Sequence, residues 1–243
     1  MDHIRSMIHV ERRMWHNGAM ATGIRTLIGE QPPTLTEWAD QRLRASILGG
    51  DFGPGDTLVI STLAEQLGLS ATPLREALRK LASEGLVVLQ SHGSARVAEV
   101  DLHEANEIYE LRLILEPTAL ERAVAAGDAD YRKRISTAWK ALTTQRVAPT
   151  SAHAAFHRAL LSNCDSAWLL RLSTMLSDRS GLMLTVGLPN RPANYNTAKA
   201  HRTLMELAIA GDAAGAAHEL RQHLTRTLAA LHLVLSDPSD QPG

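Results

Sequence analysis

The chain of 243 residues holds a single cysteine, Cys164. No intramolecular disulfide can form, and a lone thiol of this kind reads as buried packing rather than as a nucleophile. Aromatic residues are scarce at 4%, with two phenylalanines and three tyrosines. Leucine and alanine dominate the 44% hydrophobic share instead, which favours packed helices over a sheet-rich fold. No apolar run reaches the roughly 18 residues that a membrane helix requires, and the N-terminus lacks the succession of basic, apolar and small residues that marks a signal peptide. No membrane partner and a cytoplasmic location are therefore expected. A surplus of positive charge is missing too, the net charge being −1. The length suits one large or two modest domains with a proper core.

What is present is concentrated between Ser61 and Gly93. Ser61 or Thr62, with Glu65, opens a short apolar-periodic run that Gly68 stops. Thr72 then caps a second run whose first helical residue is Pro73. Leu74, Ala77, Leu78 and Leu81 recur at helical spacing and face inward, which leaves Arg75, Arg79 and Lys80 free to point elsewhere. Gly85 closes this helix. Two apolar runs, Leu86 to Leu89 and Ala95 to Ala98, flank Gln90-Ser91-His92-Gly93-Ser94 and suit a two-stranded hairpin. Helix, tight turn, helix and hairpin in this order outline a winged helix-turn-helix, whose second helix enters the major groove of double-stranded DNA. Residues 34–100 carry six Lys/Arg against eight Asp/Glu. Contact with DNA must then rest on locally placed cations, Arg75, Arg79, Lys80 and Arg96, and on two half-sites gripped by a homodimer.

This stretch, with Pro54 to Leu58 (PGDTL) upstream, LAEQLGLS, TPLREALRKL and EGL in order, resembles the GntR regulator superfamily. The resemblance implies DNA contacts by Ser70, Thr72 and Arg75, and a hairpin tip, His92 and Gly93, that reaches the minor groove. Two family cations are missing, since Ala71 and Ser61 stand where arginine is usual. Weaker or differently specified operator binding is expected, with Arg79 or the N-terminal arginines as possible helpers.

Residues 1–33 show no clean period and read as an N-terminal extension. Thr34, with Glu37 three residues on, begins a helix that ends at Gly49-Gly50. Residues 34–100 form the winged domain, and 101–236 form a second, all-helical unit that starts almost at once with Asp101 and Glu104 as a capping pair. In its first helix Ala105, Ile108, Leu111, Leu115 and Ala119 form the apolar stripe. Helices follow over about 128–146, 151–163, 166–187, 194–210 and 212–235, and residues 237–243 form a tail. The fold class expected is mainly α, a winged helix-turn-helix followed by a helical bundle. This second unit resembles the FCD effector domain of the FadR subfamily, through YELRLILEP (Tyr109 to Pro117), HAAFHRALLSN (His153 to Asn163), AHRTLMELAIAGD (Ala200 to Asp212) and AAHELRQHL (Ala216 to Leu224). Together the two resemblances cover about residues 36 to 235.

His153 and His157 lie four apart on one helix face, and His201 and His223 fall on two later helices. Bundles commonly build metal sites from facing helices in this way. Solvated or core histidines remain an alternative on spacing alone. In metal-binding FCD domains the ligands are an Asp or Asn four residues before a His, and then two later His residues. The resemblance thus implies a divalent transition metal on His157, His201 and His223, with His153 in place of the acid. Zinc is favoured, and nickel or iron would also suit imidazole. Four neutral ligands leave the ion's charge uncompensated, so a small carboxylate effector is expected to complete coordination. Arg112 matches the arginine of the family's effector pocket, and an ion pair with Glu116 on the helix surface is its alternative. His103, His218 and His232 read as surface or interface residues.

The function expected is a DNA-binding transcription regulator, usually a repressor in this family. Two rivals from other classes are a helical metalloenzyme using the histidine cluster and an interaction module that has lost its ligand. The chain has no HExxH, no activated nucleophile and no acid placed beside the histidines as a general base.

Overall fold

The computed structural model describes residues 34–91, 93–144, 149–187 and 197–235. The N-terminal extension, His92 and the tail lie outside the described residues. The elements in chain order are α1 (Leu35–Gly49), β1 (Thr57–Val59), α2 (Ile60–Leu67), α3 (Ala71–Ser83), β2 (Val87–Gln90), β3 (Ser94–Val97), α4 (Leu102–Ala125), α5 (Ala129–Thr143), α6 (Pro149–Leu161), α7 (Ala167–Gly187), α8 (Thr197–Ala210) and α9 (Ala213–Leu235). The chain is mainly α, with a winged helix-turn-helix followed by a helical bundle.

Thr34 builds the expected capping box: its hydroxyl accepts from the Glu37 amide at 3.1 Å, and the Glu37 carboxylate accepts from the Thr34 amide at 2.8 Å. The helix ends on Gly50 in the left-handed conformation, φ 85°. Two expected caps are absent. The residue before α2 is Val59, without a side-chain cap, so Ser61, Thr62 and Glu65 already lie inside the helix. Strand β1 runs straight into α2 and imposes the start. Helix α3 begins at Ala71 after Ser70, not after Thr72, and Pro73 sits one turn in, where its missing N–H still has no helical partner to lose.

Leu74, Ala77, Leu78 and Leu81 are fully buried, as their spacing predicts. They pack with Leu43, Ile47, Leu58, Leu86 and Val97 into the winged domain's core. Burying each leucine contributes about 1.5–3 kcal/mol. The hairpin forms, and β1 adds a third strand that a three-residue segment with one buried leucine does not announce. The antiparallel order is β1-β3-β2, with Arg96 opposite Thr57 on one side and Val88 on the other.

In the helical bundle, Asp101 accepts from the Glu104 amide at 2.8 Å, while the Glu104 carboxylate turns away to Arg179 at 2.7 Å. The inward stripe of α4 differs from expectation. Leu111 is 47% exposed and Leu115 only partly buried; the buried face runs through Ile108, Tyr109, Arg112, Glu116 and Leu120. An arginine and a glutamate hold core positions because they neutralise each other there. Pro117 lies inside α4 and has no N–H for the Leu113 carbonyl one turn back. Arg221 of α9 supplies the missing donor, its Nη1 reaching that carbonyl at 2.9 Å. A second core of Tyr109, Leu120, Tyr131, Phe156, Leu204 and Leu220 fills the bundle. Helix α6 starts at Pro149 itself, two residues before the expected point. No helix among the described residues is long and apolar enough to cross a membrane.

Candidate metal centre and nucleic-acid interface

Helix α6 carries His153 and His157 one turn apart, and α8 and α9 bring His201 and His223 to the same point. One ring nitrogen from each of the four lies within 4.8 Å of the others. His153 Nε2 stands 3.2 Å from His201 Nε2, and His157 Nε2 stands 3.3 Å from the same atom. These two spacings are short enough for one ion with nitrogen bonds of about 2.0–2.1 Å to bridge each pair. The 4.8 Å limit leaves room for the group to close. His157, His201 and His223 are buried and His153 partly so. Phe156 walls the cluster, its ring 5.8 Å from His157 and 5.7 Å from His201.

Burial, followed by His201 and Arg112, pushes His153 down to about 3. Burial alone takes His201 to about 4. His157 and His223 lie well below the ordinary histidine value for the same reasons, burial first. All four are therefore neutral near pH 7, the form that ligates a metal. The donor set fits a divalent transition ion: four convergent neutral imidazoles, with no carboxylate in the group among the described residues.

Arg112 faces this interior, where its charge bears on three of the histidines. The expected alternative, a pair with Glu116, does form, but in the interior rather than on the helix surface. Nε donates to Glu116 Oε1 at 2.6 Å and Nη2 to Oε2 at 3.2 Å. Nη1 donates to Ser180 Oγ at 2.7 Å, and the guanidinium lies 4.9 Å from the Tyr109 ring centre. Burial works against the charge, but Glu116 and then Tyr109 outweigh it and hold the guanidinium above its ordinary value. Of the remaining histidines, His103 and His218 are exposed; His232 Nε2 meets Asn106 Oδ1 at 2.7 Å.

The second region is the outer face of α3 with the hairpin. Ser70, Thr72, Arg75 and Arg79 are exposed, and Ser70 spends no side-chain hydrogen bond on capping. Arg79 is engaged by Glu76 on the same face. Arg75 makes no ion pair with a described residue. Gly93 sits at the hairpin tip with φ 80°, and Arg96 projects from the solvent side of β3. Lys80 is exposed but committed: its ammonium donates to buried Asp40 of α1 at 2.7 Å.

Residues 35–97 match the model of bacterial regulatory proteins of the gntR family, and residues 107–226 match that of the FCD domain. The HTH-type transcriptional regulator BphR of Paraburkholderia xenovorans, itself uncharacterised, is 30% identical over 80% of this chain and 84% of its own length. The chain belongs to the GntR family of bacterial regulatory proteins. The HTH-type transcriptional repressor GlaR of Escherichia coli is 28% identical over 75% of this chain and 89% of that protein. The structure of E. coli McbR/YncC superposes with a TM-score of 0.70 at 24% identity, covering 82% of this chain and 98% of that one, which supports the fold. This GntR-family chain is a DNA-binding transcription regulator with an FCD domain, and not an enzyme.

Sequence reasoning missed the residues that join the regulator's two cores. Asp178 of α7 receives Arg44 of α1 at 2.8 Å and Arg158 of α6 at 3.2 Å. Leu182, four residues on, is fully buried in the winged domain's core although it belongs to α7. Only the apolar character of Leu182 hints at burial. Nothing local pairs Asp178 with Arg44, 134 residues away.

Proposed function

We propose that the FCD domain binds a divalent transition metal through His153, His157, His201 and His223, with zinc favoured over nickel or iron, and that a small carboxylate effector completes the site. Bound there, the ion supplies a 2+ centre that four neutral imidazoles leave uncompensated. The observation that carries this reading is the convergence of four ring nitrogens within 4.8 Å without an acid among them.

Arg112 is the second anchor for the effector. Its guanidinium is already held by Glu116 and Ser180, so an incoming carboxylate shares or displaces one of these partners, and the arginine's planar fork suits a bidentate contact. The chain's own residues thus provide enclosure, a fixed cation and neutral ligands.

On the DNA side, Ser70, Thr72, Arg75 and Arg79 of the recognition segment and His92, Gly93 and Arg96 of the hairpin are the proposed contacts. Exposure of the described members supports this, and Arg75, which no described carboxylate pairs, is the principal reader of a guanine. With so few cations per chain, two half-sites held by a homodimer supply the affinity. The regulator acts as a cytoplasmic repressor, in line with the names of GlaR and of the probable D-xylose utilization operon repressor of Paenarthrobacter nicotinovorans, 29% identical over 69% of this chain. Residues 34–100 then grip DNA and 101–236 sense the ligand and dimerise.

Elemental analysis of the purified chain, followed by calorimetric titration with a panel of small carboxylates before and after chelation, tests the scheme. A metal equivalent to the chain and carboxylate binding only in the loaded state are expected. Equal binding in both states would dismiss the metal's part.

A further inference from the structure

Five consecutive residues of α7 lie at the seam between the two cores and reach α1, α4 and the link that precedes α4. Arg179 donates to Glu104 and to the Glu99 carbonyl, on the link between wing and bundle. Ser180 accepts from Arg112 and donates to the Tyr109 hydroxyl at 2.8 Å. Gly181 lies against Leu48 of α1, where a Cβ would stand 3.3 Å from the leucine's methyl group. Leu182 enters the winged core.

The fifth is Asp178, with a side chain only 3% exposed. One of its oxygens takes Arg158, the residue next to His157; the other takes Arg44 of α1. Arg44 passes the connection on in two directions. Its Nη2 donates to Glu84, at the C-terminal end of the recognition helix α3, and to Asp40 at 3.1 Å. Asp40 in turn holds Lys80 of the same helix at 2.7 Å. A continuous set of ion pairs therefore runs from the helix that bears two of the four histidines to two points on the helix that faces DNA. These partners lie far apart in sequence and come from four helices, so shifting α6 against α1 must strain or break a contact to Asp178.

We propose that Asp178 is a positioning residue for DNA binding, coupling the state of the histidine site to the orientation of the recognition helix through Arg158 on one side and Arg44 on the other. This rests on the reading that the four histidines take up a divalent ion. An ion held by all four nitrogens ties α6, α8 and α9 together at one point, so the hold on α6 depends on occupancy. Helix α6 is the one whose next side chain is tied to the seam. Coupling of this kind requires that one arrangement of the winged domain be preferred in one metal state.

The experiment uses the full chain, zinc alone as ligand, and a duplex enriched by the wild-type chain from a random-sequence pool. DNA affinity is measured zinc-loaded and chelated, and zinc binding is measured separately by calorimetry. Wild type should show an affinity ratio between the two states of about fivefold or more. Asp178→Asn should keep wild-type zinc affinity while the ratio collapses toward one, and Asp178→Glu should restore part of it. Should burial of an unopposed Arg44 prevent Asp178→Asn from folding, Arg158→Gln removes the half-exposed partner instead and should lower the ratio in the same direction. A ratio unchanged from wild type in these variants overturns the proposal. A wild-type ratio of one with zinc bound also overturns it and leaves the metal site standing; failure of the wild type to bind zinc removes both.

Discussion

Arg112 and Glu116 stand one turn apart on α4 and meet edge to edge in the interior, with two hydrogen bonds of 2.6 and 3.2 Å. Each is the reason the other can be buried. Arg112→Met or Glu116→Leu alone leaves an uncompensated charge and should cost about 3–5 kcal/mol, whereas the double replacement should cost much less than the sum. Urea denaturation of the three variants decides this. A strictly additive double variant would show that the charges do not depend on each other.

Arg75 is exposed on α3 and makes no ion pair with a described residue. Arg75→Ala is expected to leave the melting temperature unchanged and to cost about 1–3 kcal/mol of specific DNA affinity, the worth of an arginine fork on guanine. Gel-shift titration against the enriched duplex and a non-specific one checks it. Equal binding of both duplexes by wild type and variant would exclude Arg75 as a reader.

Leu182 is carried by α7 yet buried in the winged domain's core. Leu182→Ala should cost about 2–5 kcal/mol, as large-to-small core replacements do. Because the loss falls on the winged side, calorimetry should show its transition moving to lower temperature ahead of the bundle's. A single transition displaced as a whole would mean that the two cores melt as one unit.

The histidine cluster sets a pH dependence for chelator-treated protein. In the unfolded chain the four imidazoles take up protons near pH 6.5, whereas in the folded chain His153 waits until about 3 and His201 until about 4. Below 6.5 the unfolded state thus binds more protons, so stability is complete above that value and declines as pH falls toward 4. Denaturation midpoints followed from about pH 7.5 to 5 should fall, and less steeply in His157→Gln. Midpoints that rise or stay level on acidification would contradict the burial of neutral imidazoles.

Much of the fold could be read in advance because it is written in local signals. The Thr34–Glu37 box, Gly50 and Gly68 in the left-handed region, and the Leu74-Ala77-Leu78-Leu81 period act within a few residues. Of the four histidines only the spacing of His153 and His157 is such a local signal; His201 and His223 join them through the family resemblance. Where tertiary packing overrode local preference, reading failed. Strand β1 set the start of α2, so Ser61 and Thr62 lost their capping role. The inward face of α4 passed through Arg112 and Glu116 because a neutral pair can occupy a core, which hydrophobic periodicity cannot register. Asp178 and Arg44 were invisible, since their pairing exists only once the two domains are in place.

Proline in mid-helix is ordinarily a defect, and here it works as a ruler. The carbonyl that Pro117 leaves unanswered is claimed by Arg221, two residues ahead of His223. The rod bearing the buried guanidinium and the rod bearing one imidazole are thereby pinned at a single axial offset. Slippage of either rod would break that contact, so the level at which the two rods meet is marked by an atom the proline does not possess.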